Sequence, residues 1–103
     1  MIVEYIRYKI PLNESAAFEH DYAEAAKSLD SSNHCLAYEL SCCLDEPGSY
    51  FLRIEWDSVE GHLEGFRGSE IFRSFFAAIK PYLHRIEEMR HYKPTPVKAV
   101  KLQ

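Results

Sequence analysis

Residues 35–57 read CLAYELSCCLDEPGSYFLRIEWD, and this stretch decides the fold. Apolar and more polar side chains alternate over residues 35–43 and again over residues 50–57, which is the period of a β-strand. Between the two runs lies Asp45-Glu46-Pro47-Gly48, where proline fixes one backbone angle and glycine tolerates a positive φ. The stretch therefore predicts a β-hairpin.

One strand and one helix are predicted before this hairpin. Residues 2–10 alternate between apolar and more polar side chains until Pro11 ends the run. Apolar residues then recur at helical spacing over residues 14–29, and Asn13 is placed to accept a free amide at the start of that helix. The chain is thus predicted to begin strand, helix, strand, strand.

A second helix and a fourth strand are predicted after the hairpin. Ser58 is placed to cap a helical segment that glycines interrupt, and a stripe of large apolar side chains follows from Ser69. Pro81 disfavours the last turn of this helix, and residues 85–92 alternate again with a period of two. The order predicts an α+β fold of the ferredoxin-like βαββαβ type, with both helices on one face of an antiparallel sheet.

Composition predicts one compact domain, since 47% of the 103 residues are hydrophobic. We expect this domain over residues 1–93, with residues 94–103 as a tail or dimer arm, because two prolines and no apolar period occur there.

The charge and the apolar pattern exclude two classes of partner. A net charge of -4 argues against nucleic-acid binding. No secretory signal and no apolar run near the ~20 residues of a membrane span are present, so we expect a cytoplasmic protein without membrane association. Three cysteines predict free thiols, with Cys42 buried.

The second face of the predicted sheet is charged. It carries Glu39, Arg53, Glu55, Glu88 and Arg90 on the less apolar parities of three strands. A solvated face fits this pattern, and so does a homodimer in which two sheets meet and opposite charges pair across the interface. A four-stranded sheet with one uncovered face is marginally stable alone in a chain of this length, which favours the homodimer.

Residues 50–92 resemble the antibiotic biosynthesis monooxygenase (ABM) superfamily of dimeric α/β barrels. The resemblance lies in YFLRIEWDSVEGHLEGFRGSEIFRSFF and the following RIEEMRHY: a strand ending Glu-x-Trp, a capping serine, a glycine-broken helix and a phenylalanine-rich second half. It implies a ferredoxin-like subunit, dimerisation by sheet-to-sheet packing, and a cavity between each sheet and its own helices. The chain is most similar to small bacterial ABM-domain proteins that occur beside or fused to truncated globins.

The superfamily includes two relevant chemistries. One branch oxygenates phenols and hydroquinones to quinones without metal or flavin, and another binds and degrades heme. The heme branch typically has an asparagine on the first strand, a tryptophan in the helix after the third strand and an iron-ligating histidine in the following helical stretch. Here residues 1–12 contain no asparagine, the only tryptophan, Trp56, ends a strand, and residues 63–83 contain no histidine. The resemblance therefore implies oxygenation of a small aromatic substrate without a cofactor.

Such a reaction needs a base and a dry cavity beside the substrate. Histidine suits the role because its unperturbed pKa is about 6.5. His62 is the first candidate base and His91 the second. Many ABM members have their histidine at the position of Phe66, so His62, one helical turn earlier, departs from the family pattern. The predicted cavity is lined by Trp56, Phe66, Phe72, Phe75 and Phe76, with Tyr38 and Arg53 as polar contacts.

Simpler interpretations fit the same residues. The pattern is also consistent with three ordinary roles. His62 would be exposed to solvent, His91 would be a hydrogen-bonded residue of the core or interface, and the phenylalanine stripe would only fill the core. No histidines or cysteines occur at metal-ligand spacing, so no metal site is predicted. Two functions remain: a cofactor-independent monooxygenase, or a non-catalytic dimeric module that binds a small ligand or a partner such as a truncated globin. The orientation of the two histidines distinguishes them.

Overall fold

The computed structural model describes residues 1–102 and has the predicted order of strands and helices. The four strands are β1 (Ile2–Lys9), β2 (Cys35–Cys42), β3 (Ser49–Trp56) and β4 (Ile86–Tyr92). They pair antiparallel in the order β2-β3-β1-β4. The two helices are α1 (Ser15–Ser31) and α2 (Glu70–Ile79), and their buried side chains pack on one face of the sheet. This is the predicted ferredoxin-like α+β fold.

Helix α1 starts differently from the prediction. Residues Leu12–Glu14 form a short 3-10 turn, and α1 follows at Ser15 with no side-chain cap. The expected cap by Asn13 is therefore wrong. The amide of Ser15, from which a capping Asn13 would accept, donates instead to the carbonyl oxygen of Leu12, so a backbone turn takes the place of the side-chain cap.

The glycine-interrupted segment after β3 is a π-helix over Gly61–Phe66. Ser58 caps it as predicted, since its hydroxyl oxygen accepts from the amide of Gly61 at 2.8 Å. A Cβ atom at Gly65 would lie 2.4 Å from Nε2 of His34. Glycine at this position therefore lets the segment pack closely against His34, just before β2. After α2, Lys80–Arg85 form a 3-10 turn that contains the proline.

A bulge in β4 turns His91 toward the helix-covered face. Tyr8 pairs with Ile86, whereas Glu4 pairs with His91, so β4 contains one extra residue between these two pairs. Side chains alternate along a strand, and one extra residue therefore exchanges the two faces. Glu4 and His91 lie side by side on adjacent strands as a result.

Among the described residues, no helix covers the other face of the sheet. The ring of Tyr5 meets those of Phe51 and Tyr92 edge to face, with centroids 6.2 Å and 5.4 Å away. Arg53 lies on the same face, where it donates to Glu55 at 2.6 Å and to the hydroxyl of Tyr5 at 3.2 Å. We call the aromatic cluster Tyr5, Phe51 and Tyr92, together with Arg53, the open face.

The remaining predictions concern the cysteines and the chain end. All three cysteines are free, as predicted, but Cys42 is exposed rather than buried, because it is the last residue of edge strand β2. Residues 94–102 form no regular helix or strand, and the last residue of the predicted tail, Gln103, lies outside the described residues. Within residues 1–102, no helix has both the length and the apolar composition needed to cross a membrane.

Candidate active site

A cavity of about 220 Å³ lies between the sheet and the helical layer. The five aromatic residues predicted to line it all do so: Trp56, Phe66, Phe72, Phe75 and Phe76. Its polar lining comes from Glu4, Tyr8, His62 and Arg67. The volume is below the roughly 300–1,000 Å³ of common ligand sites, so the cavity suits a small, largely apolar molecule.

Glu4 places a carboxyl group in this apolar setting. It is 2% exposed and lies on the helix-covered face of β1. The indole Nε1 of Trp56 donates to Oε1 of Glu4 at 3.1 Å. Burial raises the pKa of Glu4, while the Trp56 hydrogen bond, the charge that His91 carries when protonated and the charge of Arg67 act in the opposite direction. Glu4 is therefore a carboxyl group whose charged form is disfavoured by its surroundings.

His62 lies on the cavity wall and not in solvent. It is 3% exposed, and its ring stacks on Trp56 with centroids 4.4 Å apart and planes at 12°. Its Nδ1 is 2.8 Å from Nε2 of His91, and its Nε2 is 3.4 Å from Oε1 of Glu4. Burial, followed by the charge of Arg67 and the charge that His91 carries when protonated, lowers the pKa of His62 to about 4. His62 is therefore neutral near pH 7, and its contact with Glu4 is not an ion pair there.

His91 joins this arrangement from the solvent side. It is exposed on edge strand β4, and its Nε2 reaches the buried ring of His62. The sequence offered His62 and His91 as alternative bases, whereas the structure connects them by a hydrogen bond. Glu4, His62 and His91 thus form a continuous series from the cavity wall to the surface. We call this series the Glu-His-His cluster.

The two predicted polar contacts, Tyr38 and Arg53, lie outside the cavity. Arg53 belongs to the parity of β3 that faces away from the helices, so its side chain is on the open face. Tyr38 is on edge strand β2, away from the cavity, and its hydroxyl donates to Asp30 at 2.7 Å. Tyr38 was wrongly assigned because the strand order was not known. Arg53 was wrongly assigned because its parity, which places it on the second face of the sheet, keeps it out of a cavity on the first.

Two charged residues of the cavity lining were not predicted. Glu4 had a signal in the sequence, because it shares its parity on the first strand with Ile2 and Ile6, where a carboxylate is unusual. Arg67 had none, because an arginine in a polar helical segment is ordinary on a surface. Its position beside the cavity depends on the π-helix that precedes it.

The Glu-His-His cluster also contains ligand types that divalent cations accept. One ligand atom from each residue lies within 4.8 Å of the others. Two histidines and one carboxylate are a ligand set found in mononuclear iron sites. The sequence did not predict such a set, because its members are far apart along the chain. A proton and a divalent cation are thus competing occupants of this cluster.

Fold and site together define an α+β ferredoxin-like protein with a buried carboxyl and imidazole pair at an apolar cavity. The family profile described as antibiotic biosynthesis monooxygenase matches residues 1–78. The chain therefore belongs to the antibiotic biosynthesis monooxygenase family, which confirms the resemblance drawn from the sequence.

Individual relatives are distant in sequence and close in fold. The uncharacterized protein YczJ of Bacillus subtilis (strain 168) is 29% identical over 76 residues, which are 74% of this chain and 80% of YczJ. A Bordetella bronchiseptica structure that carries the antibiotic biosynthesis monooxygenase name has a TM-score of 0.74 at 23% identity, covering 91% of this chain and 96% of that one. A conserved protein from Methanosarcina mazei Go1 has a TM-score of 0.75 at 18% identity, covering 91% and 92%. At these identities the structures show the shared fold.

Proposed function

We propose that this protein is a monooxygenase that oxidises a small phenol- or hydroquinone-type substrate with dioxygen and without a bound cofactor. The observation that carries the proposal is a neutral, buried imidazole, His62, on the wall of an apolar cavity. A neutral imidazole has a lone pair that accepts a proton, and the apolar wall keeps water from the deprotonated substrate. Family membership supports the oxygenase class.

The proposed chemistry balances with dioxygen as the only oxidant. Removal of the hydroxyl proton makes the aromatic ring electron-rich enough to give an electron to dioxygen. Recombination at the ring then forms a carbon–oxygen bond, and loss of water leaves a quinone. One oxygen atom enters the quinone and the other leaves as water, so a phenol and one dioxygen give one quinone and one water. The substrate supplies all four electrons.

Arg67 has a place in this scheme. It lines the cavity and is exposed at its rim, close enough for its charge to act on both Glu4 and His62. A positive charge at this place stabilises the phenolate formed when the substrate loses its proton. The cavity thus offers a proton acceptor and a counter-charge to the same substrate oxygen.

A second function is favoured by the basicity of His62. A pKa of about 4 makes its imidazole a weak acceptor for a phenolic proton, whose own pKa is about 10. The alternative is therefore a non-catalytic module that holds a small apolar ligand in the same cavity, or that binds a partner protein. A truncated globin as that partner rests on the sequence resemblance alone.

We also propose that the protein acts as a homodimer through the open face. Phe51 and Tyr92 are 40% and 45% exposed there, next to Tyr5. Exposed aromatic side chains on one uncovered sheet face favour association with a second copy of the same face. The residues of the predicted tail, 94–102, are free to extend along such a partner.

Oxygen uptake by metal-stripped, flavin-free protein tests the oxygenase proposal. A panel of hydroquinones and hydroxynaphthalenes serves as substrate, and His62→Gln is compared with His20→Gln, an exposed histidine on α1. We expect uptake by the wild type, a loss of about 10²-fold or more in His62→Gln, and no change in His20→Gln. Ligand binding without uptake by the folded wild type would favour the binding module. Full activity of His62→Gln would remove His62 from the mechanism.

A further inference from the structure

We propose that Glu4, His62 and His91 form a proton relay that carries the hydroxyl proton of the substrate from the cavity to solvent. The inference rests on the proposed function and adds two residues with defined roles, Glu4 and His91, to the candidate base.

The geometry of the Glu-His-His cluster has the two ends that a relay requires. At the inner end, Glu4 and Nε2 of His62 are 3.4 Å apart, and both residues line the cavity. At the outer end, Nδ1 of His62 meets Nε2 of His91 at 2.8 Å, and His91 is exposed. The two nitrogens of one imidazole therefore face the cavity and the surface, respectively.

The transfer moves one proton through each link and changes no oxidation state. In the resting state His62 carries its proton on Nδ1, which donates to Nε2 of His91. The substrate hydroxyl gives its proton to Nε2 of His62, Nδ1 of His62 gives its proton to Nε2 of His91, and Nδ1 of His91 gives one to water. The phenolate remains in the cavity, and one proton has entered the solvent. When the oxygen that leaves as water takes a proton from Nε2 of His62, the same links run in reverse and return both rings to their resting tautomers.

The relay also gives the proton a way out of the buried ring. His62 is 3% exposed, so water does not solvate a second proton on its imidazole, and the proton must leave as it arrives. His91 offers an exposed acceptor at hydrogen-bond distance. Glu4 is fixed by the Trp56 N–H and lies beside Nε2, where a carboxylate stabilises a transient imidazolium. Glu4 is a positioning residue in this scheme, and His91 passes the proton on.

Chemical rescue tests the outer end of the relay. His91→Gln is compared with His84→Gln, an exposed histidine in the turn before β4, by oxygen uptake in dilute buffer with and without free imidazole. We expect uptake by His91→Gln to fall at least about tenfold. We also expect imidazole to restore it more strongly as the pH rises and free imidazole base accumulates. His84→Gln should match the wild type and ignore imidazole. A wild-type rate in His91→Gln, or a slow rate that imidazole does not raise, would overturn the relay.

An anaerobic measurement separates the relay from the oxygenase proposal. 4-Cyanophenol is mixed with the protein in a stopped-flow instrument, where phenolate absorbance reports deprotonation and an indicator dye reports the proton in solution. We expect the wild type to bind the phenolate and release one proton per ligand, and His91→Gln to release it more slowly until imidazole is added. Binding as the neutral phenol, or no binding, would overturn the relay. Proton release without oxygen uptake on any phenol would support the relay and overturn the oxygenase.

The same protein samples test whether a divalent cation, and not a proton, occupies the Glu-His-His cluster. After treatment with a chelator, wild-type activity and proton release should be unchanged, and Fe²⁺, Mn²⁺ or Zn²⁺ should add no activity. Activity that is lost on chelation and returns with one of these ions would show that the cluster holds a cation, which would overturn the relay.

Discussion

Glutamine in place of Glu4 is expected to make the folded protein more stable near pH 8 and to leave its stability unchanged near pH 4. Glutamine keeps an oxygen for the Trp56 N–H and removes only the charge. Burial raises the pKa of Glu4 above its ordinary value of 4.5 in the folded chain. The folded state therefore binds more protons than the unfolded state between these two pKa values. The stability that Glu4 contributes to the wild type is fully present below the pKa of Glu4 in the unfolded chain. It is lost as the pH rises through the pKa of Glu4 in the folded chain.

The magnitude follows from the contacts of Glu4. Its carboxyl group is 2% exposed and receives one hydrogen bond from Trp56, which does not replace the water that the charged form loses. An incompletely satisfied buried polar group costs about 1–3 kcal/mol. We expect E4Q to gain that amount near pH 8, which for a domain of this size raises Tm by about 4–8 °C per kcal/mol.

Urea unfolding at the two pH values measures this difference. Trp56 is the only tryptophan and is fully buried, so its fluorescence reports unfolding directly. Glu64→Gln, an exposed carboxylate in the π-helix, is the matched control and should stay within about 0.5 kcal/mol of the wild type at both pH values. A lower stability of E4Q than of the wild type near pH 8 would contradict this expectation. That result would mean that a positive partner holds Glu4 in its charged form.

Three further variants test the packing and the open face. Gly65→Ala should destabilise the fold by about 1–2 kcal/mol because its Cβ collides with the His34 ring. His34→Ala in the same chain should recover most of this loss. A double variant as unstable as Gly65→Ala would show that the collision with His34 is not the cause. Tyr8→Phe leaves the buried hydroxyl of Tyr22 without its partner and should cost about 1–3 kcal/mol in urea unfolding. The Y8F/Y22F variant should lose less than the sum of both single losses, whereas additive losses would exclude coupling. Arg53→Glu should convert a dimer into a 12.0 kDa species in sedimentation at low micromolar concentration, and an unchanged dimer would place the interface elsewhere.

Local patterns in the sequence were sufficient for the order of the strands and helices. The hairpin follows from two alternating runs around Pro47-Gly48, and Gly48 has the positive φ, 87°, that such a turn allows. The expected cap by Asn13 failed because the amide of Ser15 donates to the carbonyl oxygen of Leu12 in a backbone turn. A backbone alternative of this kind leaves no mark in the residue types.

The candidate site was predictable in parts and not as a whole. The aromatic lining followed from the helical spacing of α2 and from the strand ends, and both histidines stood out by their chemistry. Tyr38 was misplaced because the residue pattern does not say which strand lies at the sheet edge, and Arg53 was misplaced although its parity already assigned it to the second face. Glu4 was recognisable only as a charged residue on an apolar parity.

The fold class follows from local patterns in the chain, because strand alternation and helical spacing are local and the hydrophobic effect acts on them directly. The meeting of Glu4, His62 and His91 depends instead on how the chain folds in three dimensions. They come from three distant segments: β1, the π-helix and β4. One extra residue in β4 turns His91 to the face of Glu4, and His62, in the π-helix, stacks on Trp56. Strand alternation and helical spacing specify neither the bulge nor the π-helix.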